Sequence, residues 1–309
     1  MADPILIARH TRRELLGLAA VAAAAGMIGP DDRAHAKDSL MKLTRSGTNF
    51  ARYDMGGLTI VALRDGYVDM PPSRLRQEDN RPFGADLPKQ IALTGGQLRL
   101  SVNAFLVIAD GQHILIDTGA GNAWLPTMGL LQDALGEADI ARDLIRTVAF
   151  THTHTDHVYG LVTPDGAEAF PNLETLFVPQ EEIALFDRNE RLNRFRPRCT
   201  PISDGVSVHA NIRAIQAPGH SPGHTAFEIS NGDSKLLIWG DLVHVPSIQF
   251  DRPELTWEFD GDQPRARSAR EKLLELAARP GVFVAGAHLN FPGVGRVSKT
   301  EDAYHFSAI

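Results

Sequence analysis

Thr151-His152-Thr153-His154-Thr155-Asp156-His157 decides how this chain is read, and it follows directly on the apolar residues Val148 to Phe150. In an extended segment, residues two apart point the same way, so His152 and His154 can hold one metal ion together. Asp156 and His157 come next, at the turn, adjacent in sequence and distinct in direction. They can reach a second metal about 3.5–4 Å from the first. A surface histidine tract would explain neither the buried strand before the motif nor Gly160 after it. Metal binding is the expectation.

Three residues further along extend the set. His220 lies in Ala217-Pro218-Gly219-His220-Ser221-Pro222-Gly223-His224, where Pro and Gly make a rigid turn that presents a side chain. Asp241 follows the apolar run Lys235 to Gly240, and His288 follows Val282 to Ala285. All three stand in turns or just beyond short apolar strands, where strand ends would gather them. Singly, each has a plainer reading as a core histidine or a capping aspartate.

Around these residues the chain reads as one domain over residues 37–309, with no low-complexity stretch and no long charge run. Strands are expected at Leu58 to Leu63, ending at Arg64-Asp65-Gly66, and at Val102 to Ile108, His113 to Ile116, Thr147 to Phe150 and Val282 to Ala285, the last clear one. Helices are expected at Ala138 to Arg146, Glu181 to Arg194 and Arg265 to Ala278, the last stopped by Pro280-Gly281. Pro71 to Pro88 reads as a long surface loop near the site entrance. A weak internal echo pairs Ala104 to Ile108 and Ile114 to Asp117 with Ala226 to Ile229 and Leu236 to Asp241. Each half is a hairpin whose second strand ends near an aspartate, which suggests two packed sheets with helices outside.

The net charge of −7 argues against a nucleic-acid partner, because no positive field would attract phosphates. The lone Cys199 cannot form an intrachain disulfide and leaves the redox compartment open. Residues 1–36 read as a leader: Thr11-Arg12-Arg13-Glu14-Leu15-Leu16 is a twin-arginine pattern, Leu18 to Ile28 is a small apolar run, and Ala34-His35-Ala36 is a cleavage site. The apolar run is short for a membrane span, so the mature chain is expected to have no integral membrane segment and to be periplasmic or secreted.

The motif series resembles the metallo-β-lactamase superfamily, with H-x-H-x-D-H followed by H, D and H over nearly all of the mature chain. The resemblance implies an αβ/βα sandwich and a two-metal site of five histidines and two aspartates. It assigns His152, His154 and His220 to the first metal, Asp156, His157 and His288 to the second, and Asp241 to the bridge. Asp117, in Ile116-Asp117-Thr118-Gly119, and His224 would support the ligands from behind. His244 is expected to be structural. The antibiotic-hydrolysing branch resembles H-x-H-x-D-R with a cysteine ligand, and the di-iron branch carries a glutamate where His154 stands here. The stretches Ile60 to Gly66, Gly240 to Val245 with Gln249-Phe250, and His288 to Gly293 are similar to the methyl-parathion-hydrolase-like and N-acyl-homoserine-lactonase-like branch.

Two divalent cations sharing a water lower its pKa from about 15.7 towards 7, giving hydroxide at neutral pH. The resemblance therefore implies a hydrolase of small apolar lactones, esters or phosphotriesters. Zinc is the expected metal, and manganese, iron or cobalt is compatible with N/O donors. Asp156, besides ligating, is the expected proton acceptor. The same resemblance implies that Trp124 and Phe186 line the substrate pocket and that Phe291 closes it, while neither Tyr159 nor Tyr304 is placed by the motif. A glyoxalase-II-like thioester hydrolase is the alternative enzyme reading, and an exported, non-catalytic metal-binding module is the alternative outside enzymes. A homodimer is compatible with all of them.

Overall fold

Alternate residues of Ile60-Val61-Ala62-Leu63 go to different cores. Val61 and Leu63 pack with helix residues such as Leu131 and Phe186, whereas Ile60 and Ala62 pack with Phe227 and Ile238 from far along the chain. A strand buried on both faces lies in an inner layer. The structure, a computed structural model, describes residues 41–309 apart from 84–86 and 302. The expected leader over residues 1–36 lies outside the described residues.

The strands of the first half are β1 (Lys42–Ser46), β2 (Phe50–Met55), β3 (Leu58–Met70), β4 (Leu75–Arg76), β5 (Leu98–Ala109), β6 (Gln112–Ile116), β7 (Ile145–Ala149), β8 (Thr175–Pro179) and β9 (Cys199–Ile202). The second half supplies β10 (Ser207–His209), β11 (Ile212–Gln216), β12 (Thr225–Asn231), β13 (Ser234–Ile238), β14 (Thr256–Trp257), β15 (Val282–Ala285), β16 (Val294–Lys299) and β17 (Tyr304–Ala308). One mixed sheet has the order β1-β2-β3-β5-β6-β7-β8-β9, the other β10-β11-β12-β13-β15-β16-β17, and β14 pairs with β4 alone. The α-helices are α1 (Leu131–Glu137), α2 (Thr155–Val158), α3 (Ala184–Arg188), α4 (Pro246–Gln249) and α5 (Gln263–Ala277). Between the sheets lies a core of residues such as Phe105, Ile116, Phe227 and Phe283, and outer cores lie under α1 and α3 on one side and α5 on the other. This is the expected αβ/βα sandwich of two mixed sheets with helices outside.

The internal echo is structural. The β5–β6 hairpin turns at Asp110 and Gly111, both at positive φ, as two-residue hairpin turns require. Each hairpin, β5–β6 and β12–β13, passes its second strand to a parallel neighbour, β7 or β15. Asp117 and Asp241 follow those second strands.

Several boundaries differ from expectation. The first long strand does not end at residues 64–66; a bulge there carries β3 on to Met70. Gly66 is needed in it, since a Cβ would meet Thr127 O at 2.1 Å. The helix expected from Ala138 instead ends there, because Asp139 takes a positive φ, and only a single turn at Arg142–Leu144 precedes β7. The charged helix over residues 181–194 is broken: Asn189 is extended, its Oδ1 accepts from Arg191 N, and only α3 is α-helical. The loop over residues 71–88 is pinned by β4 and by buried Leu75 and Phe83. Two antiparallel strands, β16 and β17, follow the one expected to be last.

Candidate metal centre

The site lies where β7 and β13 run out. Thr151 N and Oγ1 each donate to the Asp117 carboxylate at 2.8 Å, which holds the chain extended as it enters the motif. His154 precedes α2 with extended backbone, so Asp156 and His157 sit in a single helical turn. His157 Nδ1 donates to Asp117 Oδ2 at 2.8 Å, which leaves its Nε2 facing inward. Asp117 thus sits behind the motif, bonded to both Thr151 and His157.

From the second half, the 217–224 turn is pressed against α5; Gly219 has φ 141° and a Cβ there would meet Ala266 N at 2.1 Å. His220 Nδ1 donates to Asp260 Oδ1 at 2.8 Å. Its Nε2 lies 2.9 Å from His154 Nδ1 and 3.1 Å from Asp241 Oδ2. His288 Nδ1 donates to Ser101 O at 2.7 Å, and its Nε2 lies 3.1 Å from Asp241 Oδ2. His224 donates from Nδ1 to Ala217 O and accepts the Asp241 N–H at Nε2, so it fixes the backbone under Asp241.

The structure brings all seven expected ligands together as two groups whose donor atoms lie within 4.8 Å of one another: His152, His154, His220 and Asp241, then Asp156, His157 and His288. Asp241 lies between them, Oδ2 toward His220 and His288, Oδ1 3.1 Å from His157 Nε2. Nε2 of His152, Nε2 of His157 and Oδ1 of Asp241 are buried without a hydrogen-bond partner. Each such atom costs about 1–3 kcal/mol. Imidazole and carboxylate donors converging on one space fit divalent cations, which would satisfy these atoms at once.

The electrostatics agree. Burial alone would raise the Asp241 carboxyl, but the surrounding imidazoles, His288 first, hold it well below the usual carboxylate range. Burial would depress His220, yet Asp241 and Asp260 lift it to about 9. Burial leads in the opposite outcome at His224, pushed down to about 3, where the charge of His220 adds to it. The centre therefore attracts positive charge, while His224 stays neutral behind it.

Above the centre is a cavity of about 380 Å³. Its floor carries His154, Asp156, His220, Asp241, His244 and His288, and its walls include Val68, Met70, Leu100, Leu185, Trp257 and Phe259. Trp124 stands at the rim, 41 % exposed. Phe186 does not line the cavity: it is fully buried and packs 6.0 Å from the Phe150 ring, because α3 turns its neighbour Leu185 to the wall. Phe291 is also absent from the lining and packs against the inter-sheet core. Tyr159 lines the wall with its hydroxyl accepting from Asn189 Nδ2, whereas Tyr304 is remote, donating to Glu275.

Four buried polar residues had no role from the sequence. His244 reaches Asp241 Oδ2 at 3.3 Å and stacks between Trp257 and His288, so it belongs to the cavity floor rather than to a structural core. The Asp241-x-x-His244 spacing was the available signal. Asp260 orients His220, Glu182 accepts from Thr153 Oγ1, Ser221 Oγ and Gly223 N, and Asp65 accepts from Ala120 N and Leu131 N. Nothing local marks these three acids.

Residues 98–288 match the family model described as Metallo-beta-lactamase superfamily. The chain is 30 % identical over 230 residues to the human Acyl-coenzyme A thioesterase MBLAC2, spanning 65 % of this chain and 78 % of that protein. It is 30 % identical over 160 residues to the Atrochrysone carboxyl ACP thioesterase of Emericella nidulans, spanning 50 % of this chain and 45 % of the fungal one. Among solved structures, hydrolase AbOPH in beta lactamase superfamily superposes with a TM-score of 0.74 and 26 % identity, over 86 % of this chain and 99 % of that one. The dizinc quorum-quenching lactonase AidC shares the fold at a TM-score of 0.71 and 22 % identity, over 84 % and 97 %.

Proposed function

The chain belongs to the metallo-beta-lactamase superfamily, and from that premise we propose that it is a dinuclear, zinc-dependent hydrolase of small, apolar lactones, esters or phosphotriesters. One observation carries the reading: imidazole and carboxylate donors gather at and beneath the floor of a largely apolar cavity, which no lysine or arginine lines among the described residues. Away from the donors on the floor, such walls favour an apolar substrate body. His152, His154 and His220 would hold one cation, Asp156, His157 and His288 the other, with Asp241 between them. When bound, the cations supply a water-derived nucleophile at neutral pH and polarise the electrophilic centre.

The chain's own residues do the rest. Asp117, Asp260 and the Ser101 carbonyl each take an Nδ1–H, so the Nε2 atoms of His157, His220 and His288 are the ones turned inward, where they would hold the cations. The Asp156 carboxylate lines the cavity and takes the proton released during attack. Trp124, Trp257 and Phe259 enclose the apolar part of the substrate and exclude water around the scissile bond.

A second reading, thioester hydrolysis, is favoured by the names of the human and fungal relatives. A panel assay of the zinc-loaded protein separates the readings, with acyl lactones, aryl esters, aryl phosphotriesters, acyl thioesters and β-lactams as substrates. The proposal expects the greatest kcat/KM in the first three classes. Thioester preference selects the second reading, and no turnover with metal bound would leave a non-catalytic module. We further propose export through Arg12 and Arg13 to the periplasm; their replacement by Lys should leave the uncleaved chain in the cytoplasm.

A further inference from the structure

Arg270 is 1 % exposed in the middle of α5, where an unpaired guanidinium would be costly. Its Nε donates to Leu242 O at 2.6 Å, and Nη1 donates to Pro253 O at 2.9 Å and Leu255 O at 2.6 Å. Nη2 stands 3.5 Å from Asp260 Oδ2. The order of these acceptors along the chain matters. Leu242 follows Asp241 on the floor, Leu255 precedes the wall residue Trp257 by two positions, and Asp260 follows the wall residue Phe259. The segment that leaves the floor and returns as the wall is gathered around one buried cation.

Two further side chains tie the same segment. Gln249, fully buried, accepts from His244 N and Val245 N and donates to Leu255 O. Asp260 accepts from His220 Nδ1 at Oδ1 and from Trp257 N at Oδ2, the latter at 2.9 Å. A rotation of the Asp260 carboxylate therefore moves a floor imidazole and the backbone of a wall indole together.

We infer that Arg270 is a positioning residue that couples the floor to the wall: through Asp260 it sets the His220 ring, and through the three carbonyls it sets the segment bearing Trp257 and Phe259. The inference rests on the metal reading of the floor for its metal and activity readouts, and stands apart from it for the third below. A packing role alone would make Arg270 equivalent to its buried neighbour on α5, Leu273. Coupling instead makes ligand geometry and substrate selectivity move together.

The experiment compares Arg270→Met and Arg270→Lys with Leu273→Ala in the full chain. Three readouts beside Tm are taken: the chelator concentration that strips half the zinc, the kcat/KM ratio of a long-chain to a short-chain ester, and the downfield His220 Nδ1–H proton resonance of metal-free protein. Arg270→Met should lower the chelator midpoint about tenfold, the usual cost of losing an outer partner of a ligand. It should also lower the chain-length ratio several-fold and weaken the His220 resonance, with Arg270→Lys recovering part of each. Leu273→Ala should lower Tm and leave the other three unchanged. If Arg270→Met does not fold, Arg270→Lys alone is compared with Leu273→Ala. Arg270 variants that move only Tm overturn the inference. A wild type that retains no zinc overturns the metal reading instead, and the His220 resonance then decides: unchanged in the Arg270 variants, it overturns the coupling; weakened, it upholds it.

Discussion

The floor and the wall of the cavity are held by different physics. At and just beneath the floor, His220, His288 and the buried His157 each give Nδ1–H to an acceptor outside the cavity, so orientation comes from hydrogen bonds. On the wall, Val68, Leu100 and Trp257 belong to an apolar cluster that also contains Leu75 and Leu255, so position comes from close packing. Asp65 joins the second system, because its carboxylate pins Ala120 N and Leu131 N at the two ends of the loop bearing Trp124. Polar constraint of this kind is intolerant of a single atom's change, whereas packing spreads a change over many neighbours. The floor should therefore fail in turnover and the wall in selectivity or stability.

The largest expected effect tests the floor. Asp241→Asn should lower kcat/KM about a thousandfold, about 4 kcal/mol, because loss of an outer partner alone costs 10- to 100-fold and Asp241 is central to every donor. Melting should change little, and near-normal turnover would show that Asp241 only caps a strand end. Next, Phe186→Ala should destabilise the fold by about 3 kcal/mol or more, as for a large buried aromatic, while leaving the ranking of substrates intact. A changed ranking would put Phe186 back on the wall.

Asp65 provides a test by pH. Burial, opposed by its backbone hydrogen bonds, raises this carboxyl from 3.8 to about 6. The folded protein thus binds the proton more tightly than the unfolded chain, and the stability this contributes is lost as pH rises from 3.8 through 6. Asp65→Asn, neutral throughout, should gain on the wild type by about 2 kcal/mol between pH 4 and pH 7. Denaturant midpoints that keep a constant difference across that range would contradict it. The smallest effect belongs to the rim. Trp124→Ala should reduce kcat/KM about tenfold for long-chain lactones or aryl phosphotriesters and far less for a short ester, since the indole buries apolar area worth about 25 cal/mol per Å². A uniform loss with lowered Tm would place Trp124 in a core role.

The same division explains what the sequence disclosed. The candidate ligands His152, His154, Asp156 and His157 are close in the chain, and His220, Asp241 and His288 each follow a turn or an apolar run, so chemistry and local pattern coincide there. The hairpin echo likewise anticipated two sheets, because a hairpin is a local object. Helix limits failed where a single residue decided them, as at Asp139 with its positive φ and Asn189 with its side chain turned back on the backbone. Asp260, Glu182 and Arg270 were illegible because their partners lie far off in sequence: Arg270 works on carbonyls 15 to 28 residues away. Phe186 is assigned to the wall by resemblance alone, and the structure buries it while its neighbour Leu185 on α3 lines the cavity.

The central claim, two cations held by seven side chains, is open to one direct measurement. Elemental analysis of the purified, active protein beside its Asp241→Asn variant reads metal per chain. The account predicts two equivalents in the wild type, with zinc predominant, and a clear loss in the variant. One equivalent or none in fully active wild-type protein would contradict it.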